Sequence, residues 1–335
     1  MVNDDVAAGA DSTVKDPADG LALELADHIQ GKLTEHASLA QFTTLRVGGK
    51  ARVLVEAAKE SDLVAVGRAC LARALPWAIV GRGSNLLVAD DGFPGVVIVL
   101  GREFRGIDVI AAEASQRSLV VVGGAEPLPT LARTLAEHGL DGMAWAAGVP
   151  GTLGGGVRMN AGAHGGEIRD HLVEADVIRL RSGSRETWPL TTLGFSYRHS
   201  ELPDDAIVLS AMFSLATGDR EQIAADVEHV RAWRREHQPI NLPNCGSVFT
   251  NPDGDSAGRL IEDCGAKGLR VGGAQVSTLH ANFIVTERGS RADDVYALIA
   301  EVQRRVQESH GVRLRPEVTL LGTFGEHRPG QDTPS

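Results

Sequence analysis

The chain has 335 residues, of which 39 are glycine and only 4% are aromatic, so aliphatic side chains must form most of its core. Hydrophobic residues make up 43% and charged residues 23%, proportions that exclude disorder along the whole chain. A net charge of −11 argues against a broad nucleic-acid surface, and three cysteines without a Cys-x-x-Cys pair argue against a disulfide scaffold or a metal site.

The N-terminal residues 1–20 are small and acidic, and we expect a disordered extension there. No window approaches 18 uninterrupted apolar residues, and the N-terminus has no basic start followed by an apolar run. Together with the unpaired cysteines, this predicts a cytoplasmic protein without a membrane partner. The length favours two domains, and we expect a monomer.

Short helices and strands alternate from residue 21 onward. The first half predicts helices at Leu21–Ile29, at about Ser61–Ala74 with Ser61 as N-cap, and at Leu128–His138. The same half predicts strands at Arg52–Glu56, Trp77–Val80, Leu86–Val88, Val96–Leu100 and Leu119–Val122.

The second half continues the same pattern. It predicts strands at Val173–Leu180, Ile207–Leu215, Ser247–Thr250, Phe283–Thr286 and Val312–Leu320, and helices at Asp219–His237, Ala257–Cys264 and Arg291–Ser309. We place a domain boundary near Gly218, which gives domains 21–218 and 219–324 and a frayed tail 325–335. The predicted fold class is α+β.

Eight glycines crowd the segment 148–166. Glycine loses the most conformational entropy on folding, so such density is costly unless the backbone must approach something closely. A flexible linker is the alternative, but linkers lack the apolar residues found here. We favour a cradle in which backbone N–H groups face phosphate oxygens.

A second glycine loop, Gly81–Asn85, follows the strand at Trp77–Val80. It is not a dinucleotide fingerprint, because Leu86 stands where the third glycine would fall and a strand follows instead of a helix. No P-loop motif occurs elsewhere in the chain. A tight turn is the alternative, but with segment 148–166 the loop suggests two strand-end loops closing on one pyrophosphate.

These loops and four further motifs resemble the UDP-N-acetylenolpyruvoylglucosamine reductase family. The matching motifs lie at residues 42–49 (FTTLRVGG), 81–88 (GRGSNLLV), 148–155 (GVPGTLGG), 160–163 (NAGA), 246–252 (GSVFTNP) and 272–277 (GGAQVS). They occur in order over residues 40–323, which is far more specific than any single glycine loop. Because only 48 residues lie between Arg198 and Ser247, the chain resembles the shorter class, which lacks an extra tyrosine-bearing loop.

The resemblance implies an FAD-binding domain of the vanillyl-alcohol-oxidase (PCMH) type, followed by a smaller α+β substrate-binding domain. It implies an NADPH-dependent reduction, through FAD, of the enolpyruvyl ether of UDP-N-acetylglucosamine to UDP-N-acetylmuramate. This small-molecule reaction belongs to peptidoglycan synthesis, and through it to cell-wall biogenesis, cell shape and cell division. Matching residues give the expected FAD contacts as Gly81, Arg82, Gly83, Ser84, Asn85, Gly148, Pro150, Gly151, Thr152, Gly154, Gly155, Asn160 and Gly162.

Three residues match the family's catalytic groups. Ser247 matches the proton donor, Arg198 the active-site arginine and Glu317 the active-site glutamate. Without the resemblance, Ser247 would be an ordinary turn serine and Arg198 a surface arginine. Glu317 alternates with buried positions in a predicted strand, so periodicity alone would put it on a charged solvent face.

Matching also gives the expected substrate contacts Tyr197, Arg198, His237 and Asn251. His237 stands where many relatives have a lysine for the substrate diphosphate, so Arg234 and Arg235 are the alternatives. His164 replaces a common tyrosine, and we expect its ring to contact the cofactor rather than to form a covalent link.

Two other functions remain open from the sequence. A flavin oxidase of the same fold would pass electrons from another substrate to oxygen. A non-enzymatic flavin- or nucleotide-binding module would bind without turnover.

Overall fold

The computed structural model describes residues 20–110 and 116–325. The predicted acidic extension, apart from Gly20, and the predicted tail, apart from Gly325, lie outside the described residues. Within the described ranges, no helix combines the length and the apolar character that crossing a membrane requires.

The described residues form seven α-helices. They are α1 (Leu21–Ala26), α2 (Glu60–Ala72), α3 (Leu128–Glu137), α4 (Leu153–Arg158), α5 (Arg220–His237), α6 (Ala257–Asp263) and α7 (Ala292–His310). The predicted helices correspond to all of these except α4, which was not predicted.

Eighteen strands occur in the same part of the chain, most of them short. The first nine are β1 (Lys32–Glu35), β2 (Ala51–Ala57), β3 (Trp77–Ile79), β4 (Leu86–Val88), β5 (Phe93–Leu100), β6 (Ile107–Ile110), β7 (Arg117–Gly123), β8 (Leu140–Asp141) and β9 (Gly162–Ala163). The others are β10 (Gly166–Glu167), β11 (Leu172–Arg179), β12 (Arg185–Pro189), β13 (Ala206–Thr217), β14 (Asn244–Ser247), β15 (Arg270–Val271), β16 (Ala274–Val276), β17 (Phe283–Thr286) and β18 (Thr319–Leu321).

The first sheet has the strand order β1-β2-β5-β3, with β5 parallel to both β2 and β3. Both faces of β2 are buried: Val53 and Val55 pack in the core with α2, whereas Leu54 packs in a separate cluster on the opposite face. A strand buried on both faces reads as a nearly continuous apolar run, which explains why β2 was recognisable in the sequence.

The second sheet is antiparallel, with the order β12-β11-β13-β7-β6 and β8 paired to β13. Its core includes residues of α3, and Ile223, Val227 and Val230 of α5 pack in the same cluster. Helix α5 therefore packs with the first half of the chain, although the predicted boundary at residue 218 assigned it to the second.

The third sheet is antiparallel, in the order β14-β17-β16-β15, and shares a core with α6 and α7. That core also contains Leu45 and Leu87 from the first half of the chain. Strand β18 leaves this unit and pairs in parallel with β4. The two halves are thus joined by a common core and by a two-stranded sheet.

Two predicted strands differ from the structure. The strand predicted at 247–250 lies instead at Asn244–Ser247, because the side chain of Asn282 bonds to Phe249 N and O and takes the place of a neighbouring strand. The strand predicted at 312–320 is reduced to Thr319–Leu321. Pro316 has no N–H to donate, and it forms only an isolated bridge with Phe249.

Candidate active site

A cavity of about 430 Å³ lies where the glycine loops meet the third sheet. Its wall includes the loop 81–85, much of segment 148–163, the turn at Tyr197 and Arg198, and residues from β14 and the chain before β18. A second cavity of about 300 Å³ adjoins it, because Gly81, Arg82, Thr152 and Gly155 line both.

The loop 81–85 presents backbone N–H groups that make no hydrogen bond within the described part of the chain. The N–H groups of residues 81–85 donate to no acceptor among the described residues, although Gly83 O accepts from Thr44 N at 3.2 Å. Gly83 has a φ of 57°, and a Cβ there would lie 2.1 Å from Phe42 O, so only glycine fits. Unpaired donors in a loop of this kind favour an anionic ligand.

The loop after Gly148 leads into α4, a helix that contains three glycines. Thr152 Oγ1 accepts from Gly155 N at 3.4 Å and caps the helix. A Cβ on Gly155 would meet nothing closer than Thr152 Oγ1 at 3.6 Å, so this glycine leaves open space on the side facing both cavities. The loop therefore offers bare backbone where a ligand could lie against it.

Arg158 is a residue of the site that the sequence did not single out. Its guanidinium donates to Leu202 O at 3.1 Å, to Pro203 O at 2.7 Å and to Ala206 O at 2.8 Å, and the residue lines both cavities. Burial lowers its pKa. The available signal was that Arg158 is the only Arg or Lys within residues 148–166.

These residues fit FAD. The unused N–H groups of loop 81–85 suit the two linked phosphates, and the open face of Gly155 admits a ligand close to the backbone. Apolar side chains of Ile79, Val80 and Val149 line the same space and suit the ring systems. Of the thirteen expected FAD contacts, all except Asn160 line one or both cavities.

Asn160, which we expected to contact the cofactor, lies outside the lining of both cavities. It is completely buried. Its side chain instead bonds to Ser196, Glu167 and Arg169. His164 does not line the cavities either; it lies at the tip of the β9–β10 hairpin, where its ring is nearly perpendicular to that of Trp233, with 4.9 Å between centroids.

Arg198 and Glu317 form an ion pair in the cavity wall. Arg198 Nε lies 3.4 Å from Glu317 Oε1, and both side chains are mostly buried. Arg198 Nη2 also donates to Gly162 O at 2.6 Å, and its guanidinium lies over the Tyr197 ring, 4.7 Å from the centroid. Burial raises the pKa of Glu317, and the positive charge of Arg198 opposes that rise.

Loop 81–85 also anchors Glu317. Asn85 Nδ2 donates to Glu317 O at 3.0 Å, and Asn85 O accepts from Thr319 N at 3.0 Å. Glu317 N donates to Val248 O at 2.8 Å. Periodicity alone indicated a solvent-exposed face for Glu317. The structure instead holds Glu317 between the two halves of the chain.

Ser247 ends β14 and lines the same cavity as Arg198 and Glu317. The preceding Gly246 has a φ of 75°, which glycine adopts readily, and its N–H donates to Asn244 Oδ1 at 2.9 Å. The neighbouring Cys245 is buried, and burial raises its pKa to about 12, which keeps the thiol neutral. The structure thus brings the three predicted catalytic residues to one cavity.

The predicted substrate contacts divide into two groups. Tyr197 and Asn251 line the cavity, but His237 does not. His237 stacks on Trp233 with centroids 4.7 Å apart, and its Nδ1 lies 2.9 Å from Trp233 O. Arg234 lines the cavity in its place, with its pKa lowered by burial, whereas Arg235 forms an exposed ion pair with Glu228.

Within residues 20–110 and 116–325, no group of three or more His, Cys, Asp or Glu side chains could hold a metal ion.

Comparisons with known proteins agree with this geometry. A family model described as an FAD binding domain matches residues 51–187, and one described as the C-terminal domain of UDP-N-acetylenolpyruvoylglucosamine reductase matches residues 238–321. The chain is similar to the UDP-N-acetylenolpyruvoylglucosamine reductases of Methylorubrum populi (45% identity, covering 89% of this chain and 94% of the relative) and Synechococcus sp. strain RCC307 (44%, 87% and 95%).

Solved structures give the same result. The reductase of the same description from Thermus caldophilus is 35% identical, with a TM-score of 0.73, and the match covers 88% of this chain and 100% of that one. BBE-like 1 from Physcomitrella patens, at 12% identity and a TM-score of 0.52, resembles the chain in fold alone. The expected α+β fold class, an FAD-binding domain of the vanillyl-alcohol-oxidase type with a second α+β domain, is confirmed.

Proposed function

The chain belongs to the UDP-N-acetylenolpyruvoylglucosamine reductase family, and from that premise we propose that Ser247, Arg198 and Glu317 are its catalytic residues. The protein is an FAD-dependent oxidoreductase with UDP-N-acetylmuramate dehydrogenase activity and uses NADPH. Its reaction is a step of peptidoglycan precursor synthesis. The observation that carries the assignment is the Arg198–Glu317 ion pair in the wall that Ser247 also lines.

FAD, when bound, passes two electrons from NADPH to the double bond of the enolpyruvyl substrate. As the methylene carbon of that bond is reduced, negative charge builds on the adjoining carboxylate. We propose that Arg198 binds this carboxylate, because its guanidinium stays protonated and can contact both oxygens. Its fixed bonds to Gly162 O and Glu317 hold the guanidinium in place without substrate.

Glu317 and Ser247 are proposed to complete the reaction. Without substrate, Glu317 is the charged partner of Arg198; once the substrate carboxylate takes that place, the raised pKa lets Glu317 accept a proton more readily and donate a hydrogen bond to the charge that develops on the substrate. The hydroxyl of Ser247 donates a proton to the carbon that bears the ether oxygen. General acid catalysis of this kind contributes roughly 10²–10⁴-fold in rate.

The substrate side of the cavity supports a further assignment. We propose that Tyr197 and Asn251 contact the substrate and that Arg234, rather than His237, meets its diphosphate. Arg234 lines the cavity and is held by a bond from Nε to Gln238 Oε1 at 2.8 Å, which orients a cation toward the space. An anionic diphosphate would stabilise this partly buried charge.

We also propose a cytoplasmic monomer that acts in cell-wall biogenesis, cell shape and cell division. Free Cys70, Cys245 and Cys264 fit a reducing compartment. The packing of α5 with the first half of the chain supports a domain boundary at the end of this helix, after residue 237, instead of at residue 218. This gives an FAD-binding unit 21–237 and a substrate unit 238–324.

The function is tested by separating the two halves of the reaction in Ser247→Ala. We expect this variant to keep FAD and to be reduced by NADPH at the parent rate, but to lose reoxidation by the enolpyruvyl sugar nucleotide roughly 10²–10⁴-fold. Flavin absorbance in anaerobic stopped flow measures both steps. Ser182→Ala, in an exposed loop between β11 and β12, is the matched control.

The same measurement distinguishes the reductase from the flavin oxidase. The named relatives support the reductase. Parent enzyme that is reduced slowly by NADPH but turns over quickly with oxygen would instead indicate an oxidase. Near-parent reoxidation of Ser247→Ala by the substrate would remove Ser247 from the proposed mechanism.

A further inference from the structure

Asn160 lies between α4 and the β9–β10 hairpin, with its side chain turned away from the cavities. It is completely buried, and its φ of 40° is in the left-handed region that asparagine tolerates better than most residues. Its neighbours Met159 and Ala161 both line the larger cavity. The backbone on either side of Asn160 therefore belongs to the wall of the site, while the Asn160 side chain bonds to segments that lie behind that wall.

The side-chain amide of Asn160 is bonded on all sides. Nδ2 donates to Ser196 O at 3.0 Å and to Glu167 Oε2 at 2.9 Å, and Oδ1 accepts from Arg169 N at 3.1 Å. Both N–H donors are used, so these partners allow only one orientation of the amide. A buried and fully bonded amide holds its partners rigidly.

Ser196 begins the turn that carries Arg198. Ser196 N donates to His199 O at 3.1 Å and His199 N donates to Ser196 O at 3.2 Å, so Tyr197 and Arg198 occupy the two central positions. At the other end of the turn, Ser200 Oγ donates to Arg158 O at 2.7 Å. The turn is thus attached at both ends to the segment 158–160.

The side chain of Arg198 returns to the same stretch of backbone. Its Nη2 donates to Gly162 O, two residues beyond Asn160, and its Nε faces Glu317. Arg198 itself has a φ of 56°, which arginine seldom adopts without support. If the turn moved relative to segment 158–162, the contacts of the guanidinium with Gly162 and Glu317 would both change.

We propose that Asn160 is a positioning residue for the reduction of the enolpyruvyl substrate. By holding Ser196 O, it fixes the turn and places the Arg198 guanidinium between Gly162 O and Glu317. The proposal rests on the proposed role of Arg198 at the substrate carboxylate. It gives Asn160 a task that differs from the cofactor contact expected from the sequence.

The test uses Asn160→Gly in the FAD-loaded enzyme. Glycine accepts the same φ, so the change removes the side chain without backbone strain. We expect flavin reduction by NADPH at the parent rate and reoxidation by the enolpyruvyl sugar nucleotide slowed about 10- to 100-fold, since a displacement of about 1 Å has effects of this size. The proposal would be overturned if flavin reduction and reoxidation were slowed equally, or if neither was slowed.

A double variant separates positioning from a general structural role. If Asn160 acts through Arg198, the pair Asn160→Gly and Arg198→Gly together should reoxidise no more slowly than Arg198→Gly alone. Multiplied losses would overturn the proposal. Parent-like reoxidation by Arg198→Gly would instead contradict the proposed function of Arg198, so the two failures are distinguishable.

Two further variants keep the test decisive. Asn160→Asp combined with Glu167→Gln keeps the acceptor for Arg169 N and avoids two facing carboxylates, but loses the donor to Ser196 O, so it should show the same pattern if the glycine variant fails to fold. Glu167→Gln leaves an oxygen for Asn160 and should reoxidise at the parent rate. In a crystal structure of Asn160→Gly, we expect Arg198 Nη2 beyond hydrogen-bond distance of Gly162 O; an unmoved guanidinium would overturn the proposal.

Discussion

Arg198 Nε and Glu317 Oε1 lie 3.4 Å apart, which joins a turn in the first half of the chain to the segment that precedes β18. The pair is mostly buried in the wall of the larger cavity. Loss of one partner from such a pair leaves a charge without compensation, so it affects both the site and the fold.

Replacement of Arg198 by lysine should impair catalysis even though the positive charge remains. Lysine would have the same backbone strain at this position, so Arg198→Lys tests the guanidinium alone. A lysine ammonium cannot bond Gly162 O, Glu317 and a carboxylate in the same planar arrangement. We expect reoxidation of the flavin by the substrate to slow about 10²–10³-fold, as for other removed transition-state donors.

Single-turnover absorbance measures that rate, and NADPH reduction should stay at the parent value. Arg235→Lys, which changes an exposed arginine on α5, is the matched control and should have no effect. A lysine variant that reoxidises as fast as the parent would exclude bidentate binding by Arg198.

The raised pKa of Glu317 makes the stability of the enzyme depend on pH in a defined direction. Because the folded-state pKa lies above the unfolded one, the stabilisation from the neutral carboxyl is complete below the ordinary value of 4.5 and is lost as pH rises through the folded pKa. Glu317→Gln removes this titration. Its free energy of unfolding, relative to the parent, should therefore increase as pH rises above 4.5.

Urea unfolding of both proteins across that pH range, with FAD at one fixed excess concentration, measures the difference. The attraction of Arg198 acts only on the charged form of Glu317 and already contributes to its folded-state pKa, so it does not reverse the sign of the expected slope. A difference that falls with rising pH would mean that the charged form of Glu317 is the stabilised one.

Gly155→Val should prevent tight binding of FAD without unfolding the chain. A Cβ on Gly155 has room, but the two methyl groups beyond it would enter the space that both cavities share. Overpacking of this kind costs about 1–3 kcal/mol, which corresponds to roughly a 5- to 150-fold rise in the Kd for FAD.

The flavin content of the purified protein and titration of the flavin-free form measure this loss. Gly155→Ala should lose less, because its single carbon fits at 3.6 Å from Thr152 Oγ1. Since valine and alanine both favour a helix more than glycine does, the flavin-free variants should not unfold earlier. Parent-like flavin content in Gly155→Val would contradict the assignment of this loop.

Local patterns in the sequence were enough to predict much of the fold. Helix α5 was predicted from its apolar residues at helical spacing, with Asp219 as the N-cap. The structure confirms this cap, because Asp219 Oδ1 accepts from Glu221 N and Gln222 N. Helix α4 could not be predicted in this way. It forms among glycines because Leu153 N and Gly154 N donate to Glu126 O and Gly124 O, which are distant in sequence.

The site shows the same division. The glycine loops were recognisable, because a backbone without side chains requires many glycines, and such clusters stand out in a sequence. Asn160 belonged to a motif, but its partners Ser196 and Glu167 are set by the packing of separate segments. Arg234 lines the cavity and His237 does not, because only one side of α5 faces the cavity. The composition of the sequence does not reveal which side that is.

The last prediction concerns Asp62, whose side chain accepts the backbone N–H groups at the start of α2, the task that we expected of Ser61. The N-cap residue is Lys59 rather than Ser61, and Asp62 is completely buried. Its carboxylate accepts four backbone N–H groups, from Gln30 at 3.0 Å, Gly31 at 3.1 Å, Ala58 at 2.8 Å and Lys59 at 3.2 Å. This one side chain therefore joins the start of α2 to the chain before β1.

Asp62→Asn should destabilise the protein, because an amide has only one oxygen and would turn N–H groups toward N–H donors. Hydrogen bonds to a charged group contribute about 1.5–3 kcal/mol, and we expect a loss of this size in urea unfolding. Ser61→Ala is the matched control, since its exposed hydroxyl makes no capping bond, and should change stability by less than about 0.5 kcal/mol. If Ser61→Ala proved the more damaging of the two, the serine and not the buried carboxylate would cap α2.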